Sequence, residues 1–126
     1  MIVGVGTDIV KIERIRKTIE RYGETFLRHV FTAEELSEAS VRRNPWPYYA
    51  GRWALKESLS KALGCGIGTQ CGWQDIRTLN DANGRPLTVL SGAAARQAAT
   101  LGIEHIHVSI SHEDEYACAT VVLESR

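Results

Sequence analysis

The stretch Gly51–Leu63 reads G-R-W-A-L-K-E-S-L-S-K-A-L and belongs to the longest helical pattern in the chain. We expect this helix to begin around the Asn44–Pro47 break, because proline is tolerated in a first helical turn but not further inside. Gly64 follows Leu63 directly and offers a C-terminal stop. The remaining predicted elements lie before and after this helix.

On the N-terminal side, Ile2–Val10 reads I-V-G-V-G-T-D-I-V, a run rich in β-branched residues that predicts a strand. A helix is expected to begin just after Asp8 and to end at Gly23, because apolar residues then recur at helical spacing. These residues are Ile12, Ile15, Ile19 and Tyr22. Thr32 and Glu35 have the spacing of a capping box, which predicts that another helix begins there.

On the C-terminal side, the runs Ile76–Leu79 and Leu87–Leu90 predict two strands, and Asn83-Gly84 between them is a strong hairpin signal. The Ala-rich segment Ser91–Leu101 predicts a short helix. Two further strands follow, Ile106–Ile110 with apolar alternation and Tyr116–Leu123. The element order βαααββαββ predicts an α+β fold with a largely antiparallel sheet packed with helices, and parallel βαβ winding fits it poorly.

Length and composition predict one domain spanning residues 1–126, with an ordinary globular character. The 15 basic and 15 acidic residues cancel, which argues against a nucleic-acid-binding polycation. No apolar run approaches the roughly 20 residues of a membrane helix, and no signal-peptide pattern opens the chain. We therefore expect a cytoplasmic protein with no membrane or nucleic-acid partner. Its three cysteines match no common zinc spacing and are expected to be reduced.

Three side chains could carry chemistry. Glu57 and Lys61 are four residues apart on one helix face, together with Trp53, and could form only an exposed ion pair. Asp8 lies near the end of a strand and before a helix, where it could cap the helix. It could equally bind a hard divalent cation, since Mg²⁺ usually takes one or two protein carboxylates. Asp8 and Glu57 would meet that number if the fold brings them together.

Other patterns are weaker. The Gly64–Gly68 loop could approach phosphate groups but lacks the Walker spacing. His105 and His107 share one face of a strand, where they could bind zinc or simply be exposed. A basic stripe with heptad-like spacing is either a solvated helix face or a docking surface for an acidic protein. The stripe consists of Arg14, Arg21 and Arg28.

Five segments taken together resemble the short phosphopantetheinyl transferase family, that of the holo-[acyl-carrier-protein] synthases. They occur in the family's order and spacing and cover essentially the whole chain. The segments are Gly6–Val10 (G-T-D-I-V), Phe31–Glu35 (F-T-A-E-E), Gly51–Leu63, Asn83–Pro86 (N-G-R-P) and His107–His112 (H-V-S-I-S-H). Trp53 stands where the family often has Phe, and Val10 where larger relatives have a third acidic ligand, which favours a site with two carboxylates.

The resemblance implies Mg²⁺-dependent transfer of 4'-phosphopantetheine from coenzyme A to a serine of apo acyl carrier protein, with release of adenosine 3',5'-bisphosphate. It implies a homotrimer with active sites between subunits, and a carrier protein of fatty-acid synthesis. Asp8 and Glu57 would hold Mg²⁺, Glu57 would take the serine proton directly or through water, and Lys61 would neutralise phosphate charge.

The remaining roles are implied in the same way. Coenzyme A would contact Arg52, Lys61, Gly64, Asn83, Pro86, Ser111 and His112, and the acidic carrier would contact Arg14, Arg21 and Arg28. Two alternatives stay open from the residues alone. One is a non-enzymatic trimeric domain that binds an acidic helix, and the other is a Mg²⁺-dependent hydrolase of nucleotide pyrophosphates.

Overall fold

A computed structural model describes all 126 residues as five α-helices and five strands. Strands β1, β5 and β4 form one antiparallel sheet in that order, and β2 and β3 form a separate antiparallel hairpin. The α+β prediction is therefore confirmed. In chain order the elements are β1 Ile2–Lys11, α1 Ile12–Tyr22, α2 Glu24–Val30, α3 Ala33–Ser40, α4 Trp46–Ala62, β2 Ile76–Asn80, β3 Pro86–Leu90, α5 Gly92–Thr100, β4 Ile103–His112 and β5 Tyr116–Ser125.

Helix α4 lies against the inner face of the three-stranded sheet, and two glycines of β1 allow a backbone-to-backbone contact. A Cβ added at Gly4 would lie 2.0 Å from the carbonyl oxygen of Ala62, and one at Gly6 would lie 1.8 Å from that of Ser58. No larger side chain fits at either position without displacing the strand. This contact holds the next residues of β1, including Asp8, close to the last turns of α4.

Helix α1 begins later than the sequence predicted. β1 continues to Lys11, which pairs with Tyr116 of β5, and the helix starts at Ile12. The N-cap residue is Lys11, and no side chain caps the helix. The interpretation of Asp8 as a helix cap is therefore wrong, because Asp8 lies inside β1 opposite Ala119.

The sequence also missed helix α2. Its seven residues are too few to show a helical period, and they follow α1 after the single residue Gly23, which has φ 57°. The capping box at the start of α3 is confirmed. The Glu35 amide donates to Thr32 Oγ1 at 3.2 Å, and the Thr32 amide donates to Glu35 Oε1 at 2.8 Å.

A fully buried ion pair joins α4 to α3. Lys56 Nζ lies 2.7 Å from Glu35 Oε1, and both side chains are 0% exposed. Lys56 also donates to the carbonyl oxygens of Val30 at 2.7 Å and Trp73 at 3.0 Å, while Glu35 Oε2 accepts from the Thr78 amide at 2.9 Å. The pair thus connects four segments around α4. No helix of the structure has both the length and the apolar character to cross a membrane.

Candidate active site

The close contact between β1 and α4 brings Asp8 to Lys61. Lys61 Nζ donates to Asp8 Oδ1 at 3.0 Å and to the carbonyl oxygen of Thr7 at 3.2 Å. The other carboxylate oxygen, Asp8 Oδ2, is buried and has no hydrogen-bond partner. An unpaired buried carboxylate oxygen is costly in a folded protein unless a ligand satisfies it.

Glu57 lies one turn before Lys61 and is half-buried beside Asp8. Burial raises the pKa of the Glu57 carboxyl above its ordinary value of 4.5, and the negative charge of Asp8 adds to the rise. The charges of Lys61 and Arg14 oppose it. Two carboxylates that repel each other across a partly buried space favour a cation between them.

One helical turn before Glu57, towards the start of α4, the same surface carries a pair of stacked aromatic rings. The rings of Trp53 and Trp73 stack with centroids 5.8 Å apart, and the Arg14 guanidinium lies 5.7 Å from the Trp53 ring centroid. Arg14 of α1 is thereby held near Glu57. Helical spacing predicted the shared face of Trp53, Glu57 and Lys61, and the structure agrees.

The residues predicted to contact coenzyme A fall into separate groups within one chain. Lys61 lies beside Asp8, and Gly64 follows three residues later, where its amide donates to the Lys61 carbonyl at 2.9 Å and ends α4. A second group, Arg52, Pro86 and His112, lines a groove of about 450 Å³ on another side of α4. Arg52 and Glu57 are five residues apart, which places them about 140° apart around a helix.

Arg52 itself is buried and already bonded to protein groups. Its Nε donates to the Thr78 carbonyl at 2.9 Å, and its Nη2 donates to Asn80 Oδ1 at 2.9 Å and to Glu38 Oε1 at 3.0 Å. The Arg52 guanidinium also lies 4.4 Å from the Tyr48 ring centroid. These contacts tie α4 to β2 and α3, so any contact with a phosphate would be an addition to a structural role.

Asn83 and Ser111 lie outside this groove. Asn83 is exposed in the hairpin turn, where its backbone N–H donates to Asp81 Oδ1 at 2.8 Å, and its neighbour Gly84 lines the groove. His112 and Ile110 line the groove, whereas Ser111 between them points to the opposite face of β4, because strand residues alternate. Ser111 and His112 of one chain therefore address opposite sides of the sheet.

A groove of about 870 Å³ runs along α1 and contains two of the three predicted carrier contacts, Arg14 and Arg21. Arg28 lies apart from it on α2, where its Nε pairs with Glu24 Oε2 at 3.0 Å and the side chain is 77% exposed. The stripe is therefore interrupted at Gly23. We call this groove the α1 groove. Its basic wall, from β1 and α1, consists of Lys11, Arg14, Lys17 and Arg21, with Glu13 among them, and its acidic wall consists of Asp114 and Glu115 from the turn between β4 and β5.

The hypothesis that the two β4 histidines bind zinc is not supported, because no further ligands lie beside them. His107 Nε2 lies 2.9 Å from Glu124 Oε1, and the His105 ring is 6.3 Å from the His107 ring. No group of three or more His, Cys, Asp or Glu side chains could hold a metal ion anywhere in the chain. All three cysteines are free, as expected.

Residues 4–121 match the model of the 4'-phosphopantetheinyl transferase superfamily. The holo-[acyl-carrier-protein] synthase of Vibrio cholerae serotype O1 (strain M66-2) is 47% identical over 126 residues, which are all of this chain and all of the relative. The chain belongs to the holo-[acyl-carrier-protein] synthases. It is thus an enzyme, a phosphopantetheinyl transferase, and the alternative of a non-enzymatic binding domain is wrong.

Solved structures of holo-[acyl-carrier-protein] synthases have the same fold. The Neisseria meningitidis synthase superposes with a TM-score of 0.92 at 35% identity, covering 99% of this chain and 100% of its own. The Bacillus anthracis synthase, determined in complex with CoA (3',5'-ADP), superposes with a TM-score of 0.84 at 37% identity over 100% and 99% of the two chains. Both matches cover at least 99% of this chain.

Sequence reasoning missed two groups around the candidate site of this synthase. Trp73 stacks on Trp53, but nothing in its local sequence indicates a contact twenty residues away. Lys56, directly before Glu57, forms the buried pair with Glu35. Its position on the inner side of an otherwise apolar helix face was a signal that the lysine had to be paired.

Proposed function

We propose that this chain transfers 4'-phosphopantetheine from coenzyme A to a serine of apo acyl carrier protein and releases adenosine 3',5'-bisphosphate, with Mg²⁺ held by Asp8 and Glu57. The observation that carries the proposal is the buried oxygen Asp8 Oδ2, which has no partner although it lies beside Glu57 and Lys61. Relatives named for this activity match the chain over its full length.

The donor set fits Mg²⁺. Two carboxylates are the number that this ion commonly takes from protein, and the remaining octahedral positions stay open for phosphate oxygens and water. When bound, Mg²⁺ would offset the charge that develops on the pyrophosphate oxygens.

Within this geometry the chain's own residues have distinct tasks. The serine Oγ attacks the β-phosphorus of coenzyme A, the bond from that phosphorus to the bridging oxygen breaks, and adenosine 3',5'-bisphosphate leaves with the electron pair. Glu57 takes the serine proton, a step typically worth about 10²–10⁴-fold in rate. Lys61 is 52% exposed, so its ammonium can exchange the Asp8 carboxylate for a phosphate oxygen.

The separation of the coenzyme A contacts supports a homotrimer with sites between subunits. Lys61 and the groove of Arg52, Pro86 and His112 lie on different sides of α4, so a second subunit would have to complete the binding site of each chain. The outer face of the sheet offers an apolar surface for such contact. Val5 and Ile9 of β1, which share the face of the strand opposite to Asp8, are 60% and 66% exposed.

The decisive experiment incubates the protein with coenzyme A, Mg²⁺ and apo acyl carrier protein and measures the masses of all products. A transferase adds one phosphopantetheine group to the carrier and produces adenosine 3',5'-bisphosphate in equal amount. A hydrolase of nucleotide pyrophosphates would instead cleave coenzyme A and leave the carrier mass unchanged. Omission of Mg²⁺ with chelator present should abolish the transfer.

The two carboxylates are tested by Asp8→Ala and Glu57→Gln, with Glu104→Gln as an exposed control. We expect turnover to fall at least about 10²-fold for both site variants. Their folds should persist, because the Lys61 end of the Asp8–Lys61 pair is 52% exposed, and ion pairs open to solvent contribute only about 0–1 kcal/mol. Near-normal turnover of Glu57→Gln would exclude this residue as ligand and base, and Mg²⁺ titration calorimetry checks the ligand role separately.

A further inference from the structure

The α1 groove carries opposite charges on its two walls, and these charges do not neutralise each other. The basic wall comes from the end of β1 and from α1, and the acidic wall comes from the turn between β4 and β5. Neither Asp114 nor Glu115 forms an ion pair within 4.0 Å, and neither do Arg14 and Arg21. The third acid of the groove, Glu13, is paired instead with Arg16, at 3.9 Å. No basic side chain of the groove therefore lies within 4.0 Å of the Asp114 or Glu115 carboxylate, and these residues, Arg14 and Arg21 are all exposed.

The acidic wall is fixed in place by the backbone. The Ile12 amide at the start of α1 donates to the Glu115 carbonyl at 2.9 Å, and the Glu113 amide donates to the Tyr116 carbonyl at 2.9 Å. Lys11 is directly paired with Tyr116 in the sheet. The turn is thus attached to the beginning of α1, which fixes the backbone of Asp114 and Glu115 at one end of the groove.

We propose that the α1 groove reads a mixed-charge segment of the carrier protein: acidic side chains lie along Arg14 and Arg21, and one basic side chain of the carrier is received by Asp114 and Glu115. This inference rests on the proposed function and names a second determinant for its protein substrate. A wholly acidic segment would meet repulsion at the turn, whereas a segment with a basic residue at that end satisfies both walls. The acidic wall sets the orientation in which the carrier docks.

A purely structural role of the turn makes a different prediction. Acidic groups near a helix N-terminus stabilise the helix by interacting with its dipole. That role would appear in the melting temperature and would leave the KM for the carrier unchanged. Simple net charge makes a third prediction, because removing two negative charges should improve binding of an acidic carrier and lower its KM.

The test measures steady-state KM for apo acyl carrier protein, at low and physiological salt, with the double variant Asp114→Asn/Glu115→Gln. Glu113→Gln is the matched control, an exposed acid of the same turn that does not line the groove. We expect the double variant to raise KM about five-fold at low salt, as for loss of a peripheral ion pair, and less at physiological salt. The affinity for coenzyme A and the melting temperature should match those of the control.

A carrier scan completes the test. Each Lys and Arg of the carrier is replaced by Ala, and one replacement should raise KM with the wild-type enzyme but have no further effect with the double variant. An unchanged or lowered KM for the double variant, or the absence of any coupled carrier position, overturns the inference. Asp114→Asn alone gives a second comparison in which Glu115 is intact. If the wild-type enzyme transfers nothing to the carrier, the proposed function itself fails, which is a distinct result.

Discussion

Two lysine–carboxylate pairs on α4 differ in how completely their polar atoms are satisfied. Lys56 and Glu35 are both 0% exposed, and three of the groups around them come from the backbones of other segments. Lys61 lies five residues after Lys56 on α4, and its partner Asp8 lies on β1. Their side chains are 52% and 14% exposed, and one carboxylate oxygen of Asp8 has no partner. The two pairs have similar chemistry and opposite surroundings.

The difference distinguishes a structural pair from a binding site. A buried pair with every hydrogen bond made is a closed arrangement that cannot accept another ligand without losing a partner. The Asp8–Lys61 pair is open, because a cation can satisfy Asp8 Oδ2 and a phosphate can take the Lys61 ammonium. We expect changes to the first pair to appear mainly in stability and changes to the second mainly in activity.

The largest expected loss of stability follows from Lys56→Met. It leaves the Glu35 carboxylate buried without its cation, and such a loss typically costs about 3–5 kcal/mol. Urea unfolding measures the change in the free energy of unfolding. Turnover per folded molecule, measured well below the melting temperature, should remain within several-fold of wild type.

The control for this variant is Lys56→Met combined with Glu35→Gln. Removing both charges should restore part of the lost stability, because no unpaired ion then remains buried. If the double variant is as unstable as the sum of the single variants, the two residues are not energetically coupled. The contrast between the closed and the open pair would then lose its basis.

The next largest effect is expected from Gly6→Ala, which tests how the open pair is positioned. The added methyl group would meet the Ser58 carbonyl oxygen at 1.8 Å, so β1 must move away from α4. Overpacking of this kind costs about 1–3 kcal/mol, and it should also weaken Mg²⁺ binding because Asp8 moves with the strand. Gly68→Ala is the control, since nothing lies within 4 Å of its added Cβ. Equal stability and equal Mg²⁺ affinity of the two variants would contradict this account.

The sequence revealed the local elements better than their arrangement. Apolar periodicity, the Thr32–Glu35 capping box and Gly64 located most helices correctly, since these signals are encoded within a few residues. The shared helix face of Glu57 and Lys61 was equally local. The approach of Asp8 to Lys61 depends on Gly4 and Gly6 meeting the α4 backbone, a contact over more than fifty residues that no local pattern encodes.

The same dependence on long-range contacts explains why Lys56 was missed and why the basic stripe is divided. Nothing in the sequence near Lys56 indicates its partner. Glu35 was predicted only as the N3 residue of a capping box, but it both completes that box and pairs with Lys56. The basic stripe was predicted from heptad-like spacing alone. Gly23, with φ 57°, ends α1 as predicted and separates Arg28 from the α1 groove.

That separation gives a third prediction, on the protein substrate. Arg14→Ala should raise the carrier KM about ten-fold at low salt and reduce its salt dependence, since Arg14 lines the groove and lies near Glu57. Arg28→Ala removes the same charge from outside the groove and should change KM about two-fold or less. The affinity for coenzyme A should be unaffected by either. Equal effects of the two variants would mean that net charge alone, rather than the groove, attracts the carrier.

The smallest effect concerns pH and provides the most direct probe of the open pair. Because the folded protein raises the pKa of Glu57, its stabilising contribution is complete below the ordinary value of 4.5 and is lost as the pH rises through the raised value. Without metal, wild type should therefore lose stability relative to Glu57→Gln as the pH rises from about 4 to 8.

Magnesium should reverse this trend, because it binds the ionised carboxylates and competes with protons. The increase in melting temperature on adding Mg²⁺ should therefore be larger at pH 8 than at pH 5, and it should be small at both pH values in Glu57→Gln. Differential scanning calorimetry with and without Mg²⁺ measures it. An equal Mg²⁺ effect at both pH values, retained in Glu57→Gln, would place the ion elsewhere and leave Asp8 Oδ2 without a role.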